Sequence, residues 1–206
     1  MEFLQVVEGR RSIRRFLPDP VPEEDIREMV RIGTLAPSAG NKQDWRFLAV
    51  VNPELKSRMK DVLQKKLFTL AREAGEKDPE SISNRHSSIL FADAPLALVV
   101  LTKPYKGQVD EMMKACGHKE EEINALRMHP DLQTIGGLVQ TILLAAYSLG
   151  YGSCWMVAPN IARRELEELL KIEPPWSMAA VVAIGRPVKA PGQKVVKPLS
   201  EVLEIV

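Results

Sequence analysis

The chain has 206 residues and a mass of 23.0 kDa, which fits one large domain or two small ones. Hydrophobic residues make up 45% of it, which is enough to bury a core and excludes wholesale disorder. The 28 Lys and Arg residues nearly balance 27 Asp and Glu residues, giving a formal net charge of +1. This balance argues against nucleic acid or a membrane surface as a partner held by overall charge.

The cysteines and the N-terminal sequence bear on the compartment. Cys116 and Cys154 are the two cysteines, too few for a disulfide framework or a four-thiolate zinc site, and we expect no metal. The first ten residues lack the basic and apolar regions of a signal peptide. No apolar run reaches the roughly 18 residues that a membrane span needs. We therefore expect a cytoplasmic protein with reduced thiols and no membrane partner.

Apolar spacing predicts helices and strands that follow each other without strict alternation. The helices are expected at residues 2–9, 22–36, 54–74, 132–149 and 161–170. The strands are expected at residues 45–51, 94–101 and 178–184, with a turn and strand at residues 150–157. This pattern predicts a sheet with helices packed on its faces.

Residues 132–149 form an unusual helix because they are apolar on nearly every side. A helix of this kind is normally buried. Gly136 and Gly137 lie inside it, and paired glycines let another backbone or a flat ligand approach closely. We therefore expect this helix to lie at the centre of the molecule or against a partner.

Four arginines fall within six positions, at residues 10, 11, 14 and 15, with Ser12 among them. Guanidinium groups bind phosphate oxygens in pairs and a serine hydroxyl adds a donor, so the cluster can form a phosphate site. The alternative is a solvated charged turn, and the cluster alone leaves both open. Residues 38–41 and 150–153 are likewise either loops that contact a ligand or ordinary turns.

Familiar catalytic motifs are absent from the sequence. It contains no G-x-S-x-G nucleophile elbow, no Walker phosphate loop and no H-E-x-x-H zinc motif. A chain without an evident nucleophile or acid–base pair can take its chemistry from a bound cofactor.

In their order and spacing, six motifs resemble the FMN-dependent nitroreductase family. They are RRSIRRF at 10–16, APSAGNKQDWRF at 36–47, ADAP at 92–95, LAAYSLGYGSCW at 144–155, AIGRP at 183–187 and KPL at 197–199. Each motif is unspecific by itself, but the ordered set is specific and spans nearly the whole chain. The resemblance implies an α+β fold with a central mixed sheet flanked by helices, and a long buried helix at a dimer interface. It also implies one FMN-binding domain over residues 1–206.

The resemblance assigns the phosphate and ribityl chain of FMN to Arg10, Arg11 and Ser12. Arg14 would reach the pyrimidine edge of the ring, where a cation favours the negative charge that builds up on reduction. A cation from the tail would complete the phosphate site, either Lys194 or Lys197.

Two further groups of cofactor-binding residues follow from the resemblance. A loop of the second subunit would contribute to each site, which then exists only in a homodimer: Pro37, Ser38, Ala39 and Asn41. A strand would face the flavin with its backbone: Ser153, Cys154 and Trp155. Asp44 stands where the family often has proline, and residues 157–159 replace a sequence that is often rich in glycine.

The activity that the resemblance implies is transfer of hydride or electrons from NADH or NADPH to a nitroaromatic, a quinone or a similar acceptor. The kinetic order would be ping-pong, and no side chain need be catalytic because FMN carries the chemistry. The alternatives are a flavin or enone reductase, a flavin-degrading oxidase of the same family, and a non-catalytic FMN-binding protein.

Residues 103–127 differ in character from the rest of the chain. Ten of these 25 residues are charged, so we expect an excursion over the surface. In the resemblance this region is variable and lies over the open face of the flavin. Its composition suits a mobile lid, with Gly107, Gly117 and the adaptable pair Met112-Met113. The alternative is a solvated loop remote from the flavin.

Overall fold

Four strands form the centre of the protein, in the order β1-β2-β4-β3. The computed structural model describes residues 2–189, 192 and 194–206. The strands are β1 (Trp45–Val50), β2 (Leu96–Thr102), β3 (Gly152–Met156) and β4 (Ser177–Gly185). Every residue of the central strand β2 is buried, which explains its uninterrupted apolar sequence.

The predicted α+β fold is confirmed, and the pairing gives its detail. The four strands pair antiparallel throughout. Within the described residues, the parallel component is a single bridge between Ser12 and Ser153. The mixed character expected of the sheet is therefore limited to this bridge, because the 10–16 segment touches β3 too briefly to form a strand.

Helices cover both faces of the sheet. Their bounds are α1 (Phe3–Gly9), α2 (Glu23–Gly33), α3 (Pro53–Glu73), α4 (Pro79–Ser83), α5 (His86–Ile89), α6 (Gln108–Ala115), α7 (Glu120–Leu126), α8 (Pro130–Ser148) and α9 (Arg163–Leu170). Local sequence sets several of these ends. The side chain of Asn52, for example, caps α3 by accepting a hydrogen bond of 2.7 Å from the Leu55 N–H, and Pro53 follows at the first helical position.

The sheet lies between two hydrophobic cores, because the side chains along each strand alternate between its two faces. Val99 of β2 and Val181 of β4 face α3 and α9, where they pack with side chains such as Leu63. The next residues along, Leu98 and Val182, face α2 and α8 on the opposite side. Successive strand residues point to opposite faces, so one continuous apolar run supplies both cores.

Helix α8 packs on the sheet and on α2, and Gly33 marks the close crossing of the two helices. A Cβ atom at Gly33 would lie 2.4 Å from Cγ1 of Ile142, so glycine is required there. The sequence predicts burial on every side, but within one chain only one face of α8 is buried. The other face, which includes Gly137 and Leu144, is half-buried, and Leu132 near its start is exposed.

The segment at residues 103–127 is more regular than its charge content indicates. It contains α6 and α7, and it buries the side chains of Asp110 and Ile123. The described part of the tail after Lys189 is irregular as predicted, apart from a single 3-10 turn at Leu199–Glu201. None of the helices within the described residues is both long and apolar enough to cross a membrane.

Candidate functional site

The arginine-rich residues 10–16 run along β3, which is an edge strand of the sheet. The Ile13 N–H donates to the carbonyl of Ser153 over 2.9 Å, and Phe16 forms a bridge to Pro187. Close packing fixes the path, since a Cβ atom at Gly152 would lie 2.6 Å from Cγ1 of Ile13. The extended segment therefore lies against the edge of the sheet, and its arginines are positioned along that edge.

A pocket of about 670 Å³ opens between this segment and the start of the tail, and we call it the arginine pocket. Its described lining residues are Arg10, Arg11, Ser12, Ile13, Arg14, Arg15, Val188, Lys189, Gly192 and Lys194. Six of them are cations, and none of these described residues is acidic. Such an uncompensated cluster attracts a multiply charged anion.

The guanidinium of Arg10 has a free hydrogen-bond donor within the described residues. Its Nε lies buried and lacks a hydrogen-bond partner within the described residues. Buried N–H groups of proteins are almost always paired, so an unpaired guanidinium nitrogen inside an anion pocket calls for an acceptor from a bound molecule.

The guanidinium of Arg11 binds the backbone. Nη1 donates to the carbonyls of Glu8 and Arg10 over 2.5 and 2.7 Å, and Nε donates to the carbonyl of Gly192 over 3.1 Å. Arg11 thus links the end of α1 to Gly192 of the tail.

Ser12 and Arg14 are exposed and line the pocket, and within the described residues their side chains make no hydrogen bond shorter than 3.4 Å. The Nη1 of Arg14 lies 3.4 Å from the carbonyl of Ser12. The backbone of Arg14 is held from the other side, where Nε2 of His86 lies 3.0 Å from its carbonyl oxygen.

Of the two tail lysines, the structure brings Lys194 to the pocket. Lys197 is exposed and is not among the described residues that line it. Ala190, Pro191 and Gln193 lie outside the described residues. Sequence reasoning did not assign Lys189 to the site, although Lys189 lines the pocket and follows the AIGRP motif by two residues. Arg15 of the predicted arginine cluster also lines the pocket, although the resemblance gave it no role.

The three predicted residues of β3, Ser153, Cys154 and Trp155, differ in the exposure and contacts of their side chains. Ser153 is only 2% exposed and its Oγ has no partner within the described residues, whereas the Trp155 ring is 39% exposed and lies over Gly136 of α8. Cys154 points into the core, where burial raises the pKa of its thiol and the nearby Arg14 lowers it in part. The Cys154 side chain is therefore a packing group, and only its backbone is available to a ligand.

The structure places the loop at residues 37–41 away from the arginine pocket of its own chain. The Ala39 N–H donates to Oγ1 of Thr134 over 3.1 Å, and the Gln43 N–H donates to Oγ of Ser38 over 3.1 Å. Gly40 and Asn41 adopt φ values of 57° and 52°, which shape the tight turn. Pro37, Ser38, Ala39 and Asn41 are thus not brought together with Arg10 within one chain.

Fold and pocket together describe an α+β protein with an arginine-lined pocket at one edge of its sheet. The sequence profile of the Nitroreductase family matches residues 7–186, from within α1 to Arg186 of the AIGRP motif. The chain belongs to the nitroreductase family.

Individual relatives agree with this assignment. A protein of Archaeoglobus fulgidus with the provisional name NADH dehydrogenase/NAD(P)H nitroreductase is 29% identical over 188 residues, covering 90% of this chain and 86% of that protein. The BluB-like flavoprotein from Clostridium difficile 630 has a TM-score of 0.88 at 28% identity, with 100% of this chain and 99% of that chain covered. A nitroreductase with bound FMN from Desulfitobacterium hafniense DCB-2 has a TM-score of 0.73 at 25% identity, with 98% and 97% covered.

Proposed function

We propose that the protein is a cytoplasmic, homodimeric FMN-dependent oxidoreductase. It would take hydride from NADH or NADPH and pass electrons to a nitroaromatic, a quinone or a similar organic acceptor. The observation that carries the proposal is the arginine pocket, with its six cations and the buried, unpaired Nε of Arg10. The family, the NAD(P)H nitroreductase name of one relative and the FMN of another support it.

The residues of the pocket suit the phosphate end of FMN. A phosphate dianion presents several acceptor oxygens, and Arg10 and Ser12 offer free donors to them. Arg11 would act by holding the wall of the pocket through Glu8 and Gly192. Lys194 and Lys189 supply further positive charge from the tail.

FMN, when bound, supplies reversible transfer of one or two electrons, and no catalytic side chain is needed. In the proposal Arg14 provides positive charge at the ring, which favours the anionic reduced form and raises the reduction potential. In the proposal the backbone of β3 and the exposed Trp155 ring would lie beside the flavin ring. Donor and acceptor would use this space in turn, which gives ping-pong kinetics.

The first test is the colour of the purified protein and its response to NAD(P)H. We expect a yellow protein whose visible flavin absorbance is bleached by NADH or NADPH without air and restored by a quinone. Free FMN at equal concentration is the control. Colourless protein that cannot be loaded with FMN would contradict the proposal, and yellow protein that neither nucleotide bleaches would favour a non-catalytic FMN-binding protein. Loss of intact FMN during turnover would favour a flavin-degrading oxidase.

The homodimer is supported by apolar surface that one chain leaves open. Residues of the tail and of α1 are among the most exposed large apolar side chains: Phe3, Leu4, Leu199, Val202, Leu203, Ile205 and Val206. Helix α8 is half-buried along Gly137 and Leu144, and a second chain would complete its burial. We propose that these exposed apolar side chains contribute to the interface between the two chains.

We expect light scattering at micromolar concentration to give twice the 23.0 kDa of one chain. Removing residues 199–206 takes away five exposed apolar side chains and should weaken the dimer and lower the FMN content together. An active, FMN-loaded monomer would refute the shared site.

A further inference from the structure

A partly buried ion pair connects the two helices of the 103–127 segment. Asp110 is 5% exposed, and it accepts hydrogen bonds from the Gly107 N–H over 2.6 Å and from Nη1 of Arg127 over 2.7 Å. Burial alone would raise the pKa of Asp110, but these donors outweigh it and hold the pKa below its usual value. The carboxylate is therefore ionised at neutral pH and joins the start of α6 to the end of α7.

Arg127 contacts the aromatic ring of Tyr105 as well as Asp110. Its guanidinium carbon lies 5.2 Å from the centroid of the Tyr105 ring, within cation–π range. The Tyr105 ring also lies against Gly107, where a Cβ atom would come within 2.6 Å of the hydroxyl oxygen. Asp110, Arg127 and Tyr105 thus form one contiguous cluster, which we call the latch.

The latch touches the loop at residues 38–43. A Cβ atom at Gly40 would lie 3.3 Å from the Tyr105 hydroxyl oxygen, so the ring packs against this turn. Ser38, Ala39 and Lys42 line one small cavity together with Tyr105. Contact is therefore continuous from the buried carboxylate of Asp110 to the turn at Gly40.

We propose that Asp110 and Arg127 are positioning residues that hold Tyr105 against the 38–43 loop and thereby determine which acceptors the enzyme admits. The inference rests on the proposed function, in which this loop contributes to the flavin site of a second subunit. The segment that the latch holds carries exposed apolar side chains at Val109, Met112 and Leu126, which suit a flat apolar acceptor. Because the latch fixes their position, it limits the size of that acceptor.

The chain offers a matched control within the same segment. Lys114 of α6 and Glu120 of α7 form a second ion pair at 3.5 Å, and it is more exposed and not part of the latch. Arg127→Met removes the latch cation, whereas Lys114→Met removes a cation of the control pair. Asp110→Asn with Arg127→Met removes both charges of the latch, so the test continues if the single variant, with its unpaired buried carboxylate, does not fold.

Amide hydrogen exchange measures the coupling without any flavin chemistry. We expect Arg127→Met to accelerate exchange about ten-fold both at residues 108–126 and at residues 38–43, because the loop loses the support of Tyr105. Tyr105→Leu should accelerate amide exchange at residues 38–43 to a similar extent. Lys114→Met should leave the amide exchange rate of residues 38–43 at its wild-type value.

Acceptor kinetics measure the selectivity. In Arg127→Met that is kept saturated with FMN, we expect kcat/KM to shift about five-fold in favour of a bulky quinone over a small one. The double variant should show no larger shift than the single variant, since both residues act as one unit.

Two outcomes would overturn the inference: faster exchange confined to residues 108–126, or an unchanged ratio between the two quinones. The first would show that the ion pair stabilises only its own segment, and the second would show that the latch does not determine which acceptor is admitted. Wild-type protein that binds no FMN would instead overturn the proposed function. The exchange experiment would still decide whether the latch supports the loop, so the two failures are distinguishable.

Discussion

Arg10→Ala is expected to lower the affinity for FMN by roughly ten- to a hundred-fold, which corresponds to the loss of one charge-assisted hydrogen bond. The buried Nε of Arg10 has no partner within the described residues, so the wild-type side chain gains most from an incoming phosphate. Neighbouring cations of the pocket remain in the variant, which is why some affinity should persist.

Titration of FMN into flavin-free protein, followed by flavin fluorescence, checks this result. Arg58→Ala is the matched control, because Arg58 is an exposed arginine on α3 outside the pocket and its loss changes the net charge equally. Equal FMN affinity in Arg10→Ala and Arg58→Ala would remove Arg10 from the site.

Gly152→Ala is expected to cost about 1–3 kcal/mol of unfolding free energy and to weaken FMN binding at the same time. The new Cβ atom would lie 2.6–2.9 Å from three atoms of the Ile13 side chain. Ile13 is held by its N–H bond to the Ser153 carbonyl, so relief of the clash must displace the backbone that carries Arg10 and Arg14.

Thermal unfolding and FMN titration together test this coupling. Gly9→Ala is a useful comparison, because its Cβ atom would meet the hydroxyl end of the half-buried Tyr147 at 2.1 Å. The far end of a long side chain can move more cheaply than the base of a β-branched one, so Gly9→Ala should cost less. Wild-type stability in Gly152→Ala would contradict the packing described for Ile13.

The parts of the fold that the sequence predicted are those governed by local patterning. The strand β2 was expected from its apolar run, but it begins at Leu96 rather than Ala94. The buried Lys56 side chain binds the carbonyls of Ala94 and Pro95 from across the fold, and a contact between such distant residues leaves no local signal. In the same way Asp110 of α6 pairs with Arg127 at the end of α7, although the two look like independent surface charges in the sequence.

The candidate site likewise contains residues that local sequence predicted and residues that only distant contacts bring there. The four arginines were predicted because they are adjacent in sequence and because the family resemblance assigned most of them a role. The contribution of Lys189 and the structural role of Arg11 were not predicted, since both depend on how the tail returns to α1. The family resemblance implies that the 37–41 loop belongs to the site of a second subunit, and this stays a prediction.

The affinity of FMN compared with that of riboflavin tests the central claim most directly, because the two molecules differ only in the phosphate. If the arginine pocket holds that phosphate, flavin-free protein should bind FMN at least about ten-fold more tightly than riboflavin, and the preference should largely disappear in Arg10→Ala. Equal affinity for the two flavins in the wild-type protein would contradict the account, since the six cations of the pocket would then play no part in holding the cofactor.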